Sequence, residues 1–520
     1  MNGWIEDEFG AADFGDDRLT ERRQRLLAHK WQKPQQSFSA AGHAEAMAAS
    51  RFFENTHVTQ EKILVAHRAA LLARIQAGGH RRVLLLQDTT ECDYSTHKKL
   101  LGAGPLSSPE RRGFFAHNHL VVTPERLPLG LWDTLIYARE DEGCGQAAER
   151  KHLPIQEKES VRWLEGYRHA CALAGQAPDC QVVSVSDREG DIYEVFVEYW
   201  QCRAQALPTA ELLIRSKTDR CLEPFDEAEP TAIPALPAEP TALPAVLAAA
   251  PAPAPAETGL ASTTPAPGKI RSRLADAPVL GTVKFRVPQA TQRNKKLKGS
   301  RQPPVQRPAR AVEPEVKAIR IRLAPPHRSA AAGGPLPPVE LTVVEAREIN
   351  PPAGEDPLVW VLLTTLPVET FAQAAEVLEL YLCRWEIELF HKVLKSGCRL
   401  EEMQQRYDFT LLPAIVLSMI VAWRLLYVMR LGRACPELPC DLVFDECEWK
   451  SVVVVLKGRA ALQSKPSVGE MVLMIAELGG YLGRKSDPPP GMKAMWIGLT
   501  RVADFALCWE RFEQGSPGAG

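Results

Sequence analysis

Three carboxylates and a group of basic and aromatic side chains draw the eye first in this chain of 520 residues. Tyr381, Arg384, Glu388 and Lys395 lie at offsets of 0, 3, 7 and 14. At about 100° per residue they fall within an arc of ~60° on one helix face. Leu380, Cys383, Ile387, Phe390 and Leu394 fall on a separate arc. The spacing therefore predicts one helix with a core face and a polar face. The polar face joins an acid, an aromatic hydroxyl and two cations, which is what a phosphodiester requires. Carboxylates are hard oxygen ligands that suit Mg2+ or Mn2+. Two such ions can activate a water or a 3′-hydroxyl and stabilise the leaving oxygen. Arg and Lys neutralise phosphate, Arg through two parallel hydrogen bonds. A plainer reading of the same face is a solvated surface with Arg384 and Glu388 paired at i,i+4.

Two further acids share a local context. Asp88 follows the apolar run 83–86, and Asp187 follows 181–186. Each is expected at the end of a buried strand, where open sheets place their ligands. Taken singly, an Asp in that position is more often a turn former.

These acids need elements to hold them. Strands are expected at 83–86, 119–122, 129–137, 181–186 and 212–217, with helices over 155–174 and 191–200. Strands interleaved with helices imply an α/β core. From about 221 to 268 the chain is dominated by Pro and Ala, a composition that reads as an extended linker. Alternating strands follow at 283–287, 317–323 and 339–345, read as a small β-rich unit. Its basic loop contains Arg293, Lys295, Lys296, Lys298, Arg301, Arg307 and Arg310. A buried-type strand at 360–365 precedes the long helix, expected over 371–395, and the remainder is helical. Residues 1–65 form a small helical unit with a basic helix carrying Arg18, Arg22, Arg23 and Arg25, and a second helix carrying Arg51.

Composition bounds the answer. Hydrophobic residues make up 45% and charged residues 24%, enough for sizeable cores over three or four domains. A net charge of −2 does not announce a nucleic-acid partner, so positive charge must be local. Twelve cysteines include no C-x-x-C pair, which points to reduced thiols in a reducing compartment. No signal peptide is expected. The most apolar stretch, 411–423, is too short to span a bilayer and reads as a buried helix.

The spacing Tyr381-x2-Arg384-x3-Glu388-x6-Lys395 resembles the Y-R-E-K signature of IS4-family transposases, and the wider match is Tn5-like. Gln87-Asp88-Thr89-Thr90 resembles the first-acid segment of that family, and Ser186-Asp187-Arg188-Glu189-Gly190-Asp191-Ile192 the second. Also similar are Ile214-Arg215-Ser216-Lys217, Glu348-Ile349-Asn350-Pro351-Pro352, Arg112-Gly113-Phe114-Phe115-Ala116-His117 and Arg51-Phe52-Phe53-Glu54-Asn55. Several ordered motifs at family-like spacing are far more specific than any one of them.

The resemblance implies an α/β fold: an RNase H-like catalytic core with a β-rich insertion, a helical N-terminal DNA-binding domain and a helical C-terminal region. The expected domains are 1–65 for DNA binding, 66–220 and 356–404 for the two parts of the core, 221–355 for the insertion, and 405–520 for a helical dimerisation region. It further implies that Asp88, Asp187 and Glu388 are catalytic and bind two Mg2+ or Mn2+ ions. Tyr381, Arg384, Lys392, Lys395 and Arg215 would contact DNA, as would Lys295, Lys296 and Lys298 of the basic loop. Trp360 stands 21 residues before Tyr381, where the family stacks a flipped base; its alternative is a core strand Trp. The implied reaction is nicking by water, attack of the freed 3′-hydroxyl to form a hairpin, reopening, and joining to target DNA. The implied partners are transposon-end DNA, target DNA and a second copy of the chain, with no membrane, in a bacterial cytoplasm near the nucleoid. The rivals are an RNase H-like nuclease that cuts without joining, a silent DNA-binding relative, and a glycosidase using paired carboxylates.

Overall fold

The computed structural model describes residues 3–9, 14–38, 43–108, 110–140, 153–223, 241–242, 268–287, 290–292, 305–307, 310–327, 334–353, 355–484 and 487–514. In chain order its main elements begin with helices α1 (Gly3–Phe9), α2 (Asp17–Gln32), α3 (His43–Phe53) and α4 (Gln60–Ala77). Strands β1 (Arg82–Asp93), β2 (Gly104–Pro105), β3 (Arg112–Val122) and β4 (Pro128–Tyr137) follow. Next come α5 (Val161–Gln176), β5 (Gln181–Ser186), α6 (Tyr193–Ala204), β6 (Glu211–Arg215) and α7 (Ile270–Asp276). Strands β7 (Gly281–Val287), β8 (Arg310–Val312), β9 (Pro314–Leu323), β10 (Val339–Glu348) and β11 (Val359–Thr364) precede α8 (Phe371–Leu382) and α9 (Trp385–Lys392). The chain closes with α10 (Asp408–Ala434), α11 (Glu446–Lys457), α12 (Val468–Leu478) and α13 (Met492–Gln514). The fold is thus mixed α/β with helical N- and C-terminal parts.

The chain divides into two compact units. One holds 1–80, 89–144 and 387–520, and the other 81–88 and 145–386. The first is built around α10, the only helix among the described residues that is long and apolar enough to cross a membrane. Its most apolar window is 89% buried, so its hydropathy is that of a core helix. The indole of Trp423 on α10 donates to Pro128 O at 2.8 Å, fixing the helix against β4. Several charges are buried with it. Glu8 of α1 is held by Arg74 and His67 of α4. Burial pushes its carboxyl up, but His67 and Arg74 outweigh that and bring it down to about 2. Lys30 of α2 donates to Gln36 O at 2.7 Å and Cys398 O at 3.0 Å, and burial lowers it to about 8.

The second unit is an extended sheet in the order β8-β7-β9-β10-β11-β6-β5-β1. β1, β5 and β6 run parallel, and β11 lies antiparallel to both β6 and β10. Their apolar runs are buried, as strands in a parallel sheet must be. The insertion does not form a small unit of its own. Its β9–β10 hairpin pairs from Pro314↔Glu348 to Leu323↔Val339, and β10 continues the ladder onto β11. The physical reason is the edge of β11, whose backbone groups need partners that β10 supplies. Most of the Pro/Ala-rich segment lies outside the described residues.

The expected single helix over 371–395 is corrected by the structure. α8 starts at a capping box of Thr370 and Gln373 and stops at Leu382. Across the break, Cys383 N–H donates to Leu380 O, Arg384 N–H to Tyr381 O and Glu386 N–H to Cys383 O. These are i→i−3 bonds, tighter than an α-helix. After α9, residues Val393–Gly397 form a π turn, which is wider than an α-helix. A constant 100° step therefore does not hold, and the four residues do not share one uninterrupted helix face.

Candidate active site

In the second unit two carboxylates arise from neighbouring parallel strands. The β1–β5 ladder ends at Leu86↔Val185, and Asp88 and Asp187 each stand two residues beyond that last rung. Adjacent strands lie about 4.8 Å apart. Gln87 Nε2 donates to Ser184 Oγ at 2.7 Å just before this point. Asp187 directly follows β5, as expected. Asp88 does not end a strand: it lies inside β1, where the strand passes beyond its last rung with β5.

The backbone after Asp187 is tightly specified. Its Oδ1 accepts from the Glu189 N–H at 2.8 Å and caps the 3₁₀ turn Arg188–Gly190. A Cβ at Gly190 would stand 2.1 Å from Ser186 Oγ, so only glycine fits this return of the chain. Asp191 is buried and was not singled out as a site residue. It accepts from Lys217 N–H at 2.7 Å and from Arg220 Nε at 2.9 Å, tying the turn to the segment after β6.

Three arginines surround this edge. Arg384 Nη1 lies 3.6 Å from Asp88 Oδ2, with the pair only 9% and 20% exposed. Burial lowers Arg215 from its ordinary value; the Tyr381 hydroxyl, which accepts from it, opposes that, while Arg188 and Arg384 add to it. Arg188 is a member that the sequence reading left out, although it stands beside Asp187. Guanidinium groups at such density call for an anion between them, and a phosphate suits the fork of each one.

Trp360 and Tyr381 are placed differently from the expectation. Tyr381 is 2% exposed, its ring 5.6 Å from that of Trp360. Trp360 is 1% exposed, stacked on Phe285 of β7 at 5.3 Å and tilted against Trp385 at 5.8 Å. It occupies the core of this unit, the alternative weighed above, and presents no open face to a base. The reason is the insertion, which supplies Phe285 as its stacking partner.

In the first unit Glu388 sits half-buried on α9, with Lys392 exposed one turn later. Lys395 lies in the π turn, 3.5 Å from Glu401. Glu401 also accepts the Asp93 N–H at 3.0 Å, and Tyr94 Oη donates to Leu400 O at 2.9 Å. The segment after the π turn is thereby docked on the end of β1. Lys295, Lys296 and Lys298 lie outside the described residues.

No three His, Cys, Asp or Glu side chains among the described residues form a ready cage for a metal ion. Mg2+ does not ask for one, since it is usually held by one or two carboxylates with water and substrate phosphate completing the shell. The paired strand-borne carboxylates Asp88 and Asp187 fit that mode in donor chemistry.

Two family models match the chain. Residues 1–58 match the transposase DNA-binding domain, and residues 420–514 match the Tn5 transposase dimerisation domain. The first covers α1 to α3, and the second covers the larger part of α10 together with α11 to α13.

Proposed function

We propose that this chain, which belongs to the Tn5-like transposases of the IS4 family, is a catalytically competent cut-and-paste transposase acting at terminal inverted repeats. Its DNA-binding and dimerisation domains mark it as a DNA-processing protein that works as a pair of copies. The observation that supports the catalytic part is that Asp88 and Asp187 each follow the last rung of the β1–β5 ladder by two residues, with Arg384 3.6 Å from Asp88 and Arg215 within electrostatic reach of Arg384 and Arg188. Carboxylates that bind cations and guanidiniums that bind phosphate are both needed to cut a phosphodiester.

Asp88, Asp187 and Glu388 would hold the divalent ions. Bound there, Mg2+ or Mn2+ would supply an activated water or 3′-hydroxyl and stabilise the departing oxygen. Asp88 must then exchange its contact with Arg384 for the cation, leaving the guanidinium for the phosphate. Arg215 and Arg188 would neutralise the same phosphate, and burial keeps Arg215 from swinging away. Lys392 and Lys395 would carry the flanking phosphates. The reactions follow as nicking, hairpin formation, hairpin opening and strand transfer into target DNA.

The test is cleavage of DNA carrying the inverted repeats that flank the gene, with Mg2+, with EDTA and with Asp88→Ala. Metal-dependent nicking followed by a hairpin, both absent in the variant, is the expected result. Tight binding without cleavage would instead make the chain a silent DNA-binding relative. Nicking without hairpin or joining would make it a simple nuclease.

A further inference from the structure

Strand β3 carries three consecutive polar residues, His117, Asn118 and His119, inside an otherwise apolar run of Phe114, Phe115, Ala116, Leu120, Val121 and Val122. All three are buried to 2% exposure or less. Leu or Val would fill such positions without the cost of desolvating polar groups, a cost that hydrogen bonds offset for His117 and Asn118. Their partners are specific. The Nδ1 of His117 lies 2.9 Å from Thr89 Oγ1, and Thr89 is the residue after Asp88. The Nδ2 of Asn118 lies 3.0 Å from His391 Nε2, and His391 is one helical turn beyond Glu388.

The amide of Asn118 is oriented from two sides. Its Oδ1 accepts from Thr134 Oγ1 of β4 at 2.8 Å, and its Nδ2 also faces Ala116 O at 3.4 Å. The Nδ2 is thus the donor toward His391, whose Nε2 accepts. Successive residues of a strand face opposite ways. His117 therefore reaches Thr89 from one face of β3 while Asn118 reaches α9 from the other. His119 packs edge-on against His117 at 5.0 Å and fills the space behind it.

We infer that His117 and Asn118 are positioning residues for the cleavage reaction. They pin the backbone next to Asp88 and the rotation of the helix bearing Glu388. Fixing Thr89 on one face of β1 turns its neighbour Asp88 to the other. Fixing His391 sets the angle of α9 about its axis, and Glu388 with it. Neither residue touches substrate in this role. The inference rests on the catalytic reading of the two acids given above.

The experiment uses the full chain and its inverted-repeat DNA. Asn118→Leu keeps the shape of the side chain and removes its hydrogen bonds. End binding is expected to stay within about twofold, while single-turnover nicking falls roughly 10–100-fold, as for other outer partners of ligand groups. Amide exchange over 385–392 should quicken at least about tenfold, with 408–434 unchanged. His391→Gln, which keeps an acceptor for the Asn118 amide, should retain most of the nicking. Unchanged nicking with unchanged exchange would overturn the inference, as would a fall in nicking matched by an equal loss of binding and of folded protein. If the unaltered chain binds its DNA but does not nick, the catalytic reading fails. The exchange of 385–392 in Asn118→Leu still decides whether Asn118 holds α9.

Discussion

Asp187 and Glu388 are held in opposite ways. Asp187 leaves the last rung of a regular parallel ladder, in a turn that glycine and a capped 3₁₀ step make unique. Glu388 lies on a short helix bounded by a 3₁₀-like step on one side and a π turn on the other. The second unit holds Asp187 by backbone pairing, shared among many bonds, and the first holds Glu388 by a few buried side-chain contacts. Backbone ladders resist single substitutions. Side-chain contacts make position sensitive to each partner and to its charge.

The largest effects should come from the acids themselves. Asp187→Ala and Glu388→Ala should each lower nicking by at least about a thousandfold while end binding persists. A Glu388→Ala enzyme that nicks at full rate would break the comparison, because only the ladder-held acids would then matter. Next comes Arg384, whose contact with Asp88 bridges the two demands for cation and phosphate. Arg384→Ala should cost about a hundredfold in nicking, and Arg384→Lys should restore little, because a lysine lacks the planar fork. Recovery by lysine would reduce Arg384 to a point charge.

A smaller effect is expected from deletion of Ser396, which would let the π turn relax toward an α-helix. End binding should weaken several-fold as Lys395 is turned from its place, and salt dependence should fall by about one phosphate contact. Unaltered binding would mean that the turn only absorbs an extra residue. The smallest effect concerns pH. Burial raises Glu448 of α11 to about 7; the neighbouring Asp445 charge adds to this, while hydrogen bonds from the Asp445 backbone and Trp31, and the Arg424 charge, oppose it. The folded state therefore holds this proton more tightly than the unfolded chain. Its contribution to stability is full below about 4.5, falls as pH rises, and is gone above about 7. Glu448→Gln should flatten that slope and gain about 1–3 kcal/mol at pH 8, read from denaturant midpoints at pH 5 and 8.

Much of this was legible in the sequence where local pattern decides structure. The apolar runs at 83–86 and 181–186 announced strands, and Asp187 emerged where the run ended. The strand read at 360–365, found at 359–364, and the buried helix around 411–423 are legible from hydropathy alone. What escaped depended on partners distant in sequence. Nothing near Asp88 tells that β1 continues for five residues beyond it. A stretch of residues spaced for one helix face gave no sign of the breaks at Cys383 and Val393, because i→i−3 and wider turns use the same residue types. The choice between the two readings of Trp360, base platform or core strand residue, turns on Phe285, 75 residues earlier, which the local sequence does not reveal as its neighbour. Arg188 and Asp191 were visible beside Asp187, but their roles depend on Arg215, Lys217 and Arg220 returning from the next strand.

The π turn after α9 has a consequence for ancestry. A bulge of this kind takes up one residue without moving the helices on either side, so an insertion there need not have been harmful when it arose. Counting along the chain and counting around the axis then become separate quantities. A relative with one residue fewer between Glu388 and Lys395 could offer the same lysine to the same phosphate. A pattern search that insists on a fixed gap would pass over it, and the kinship would be visible only in three dimensions.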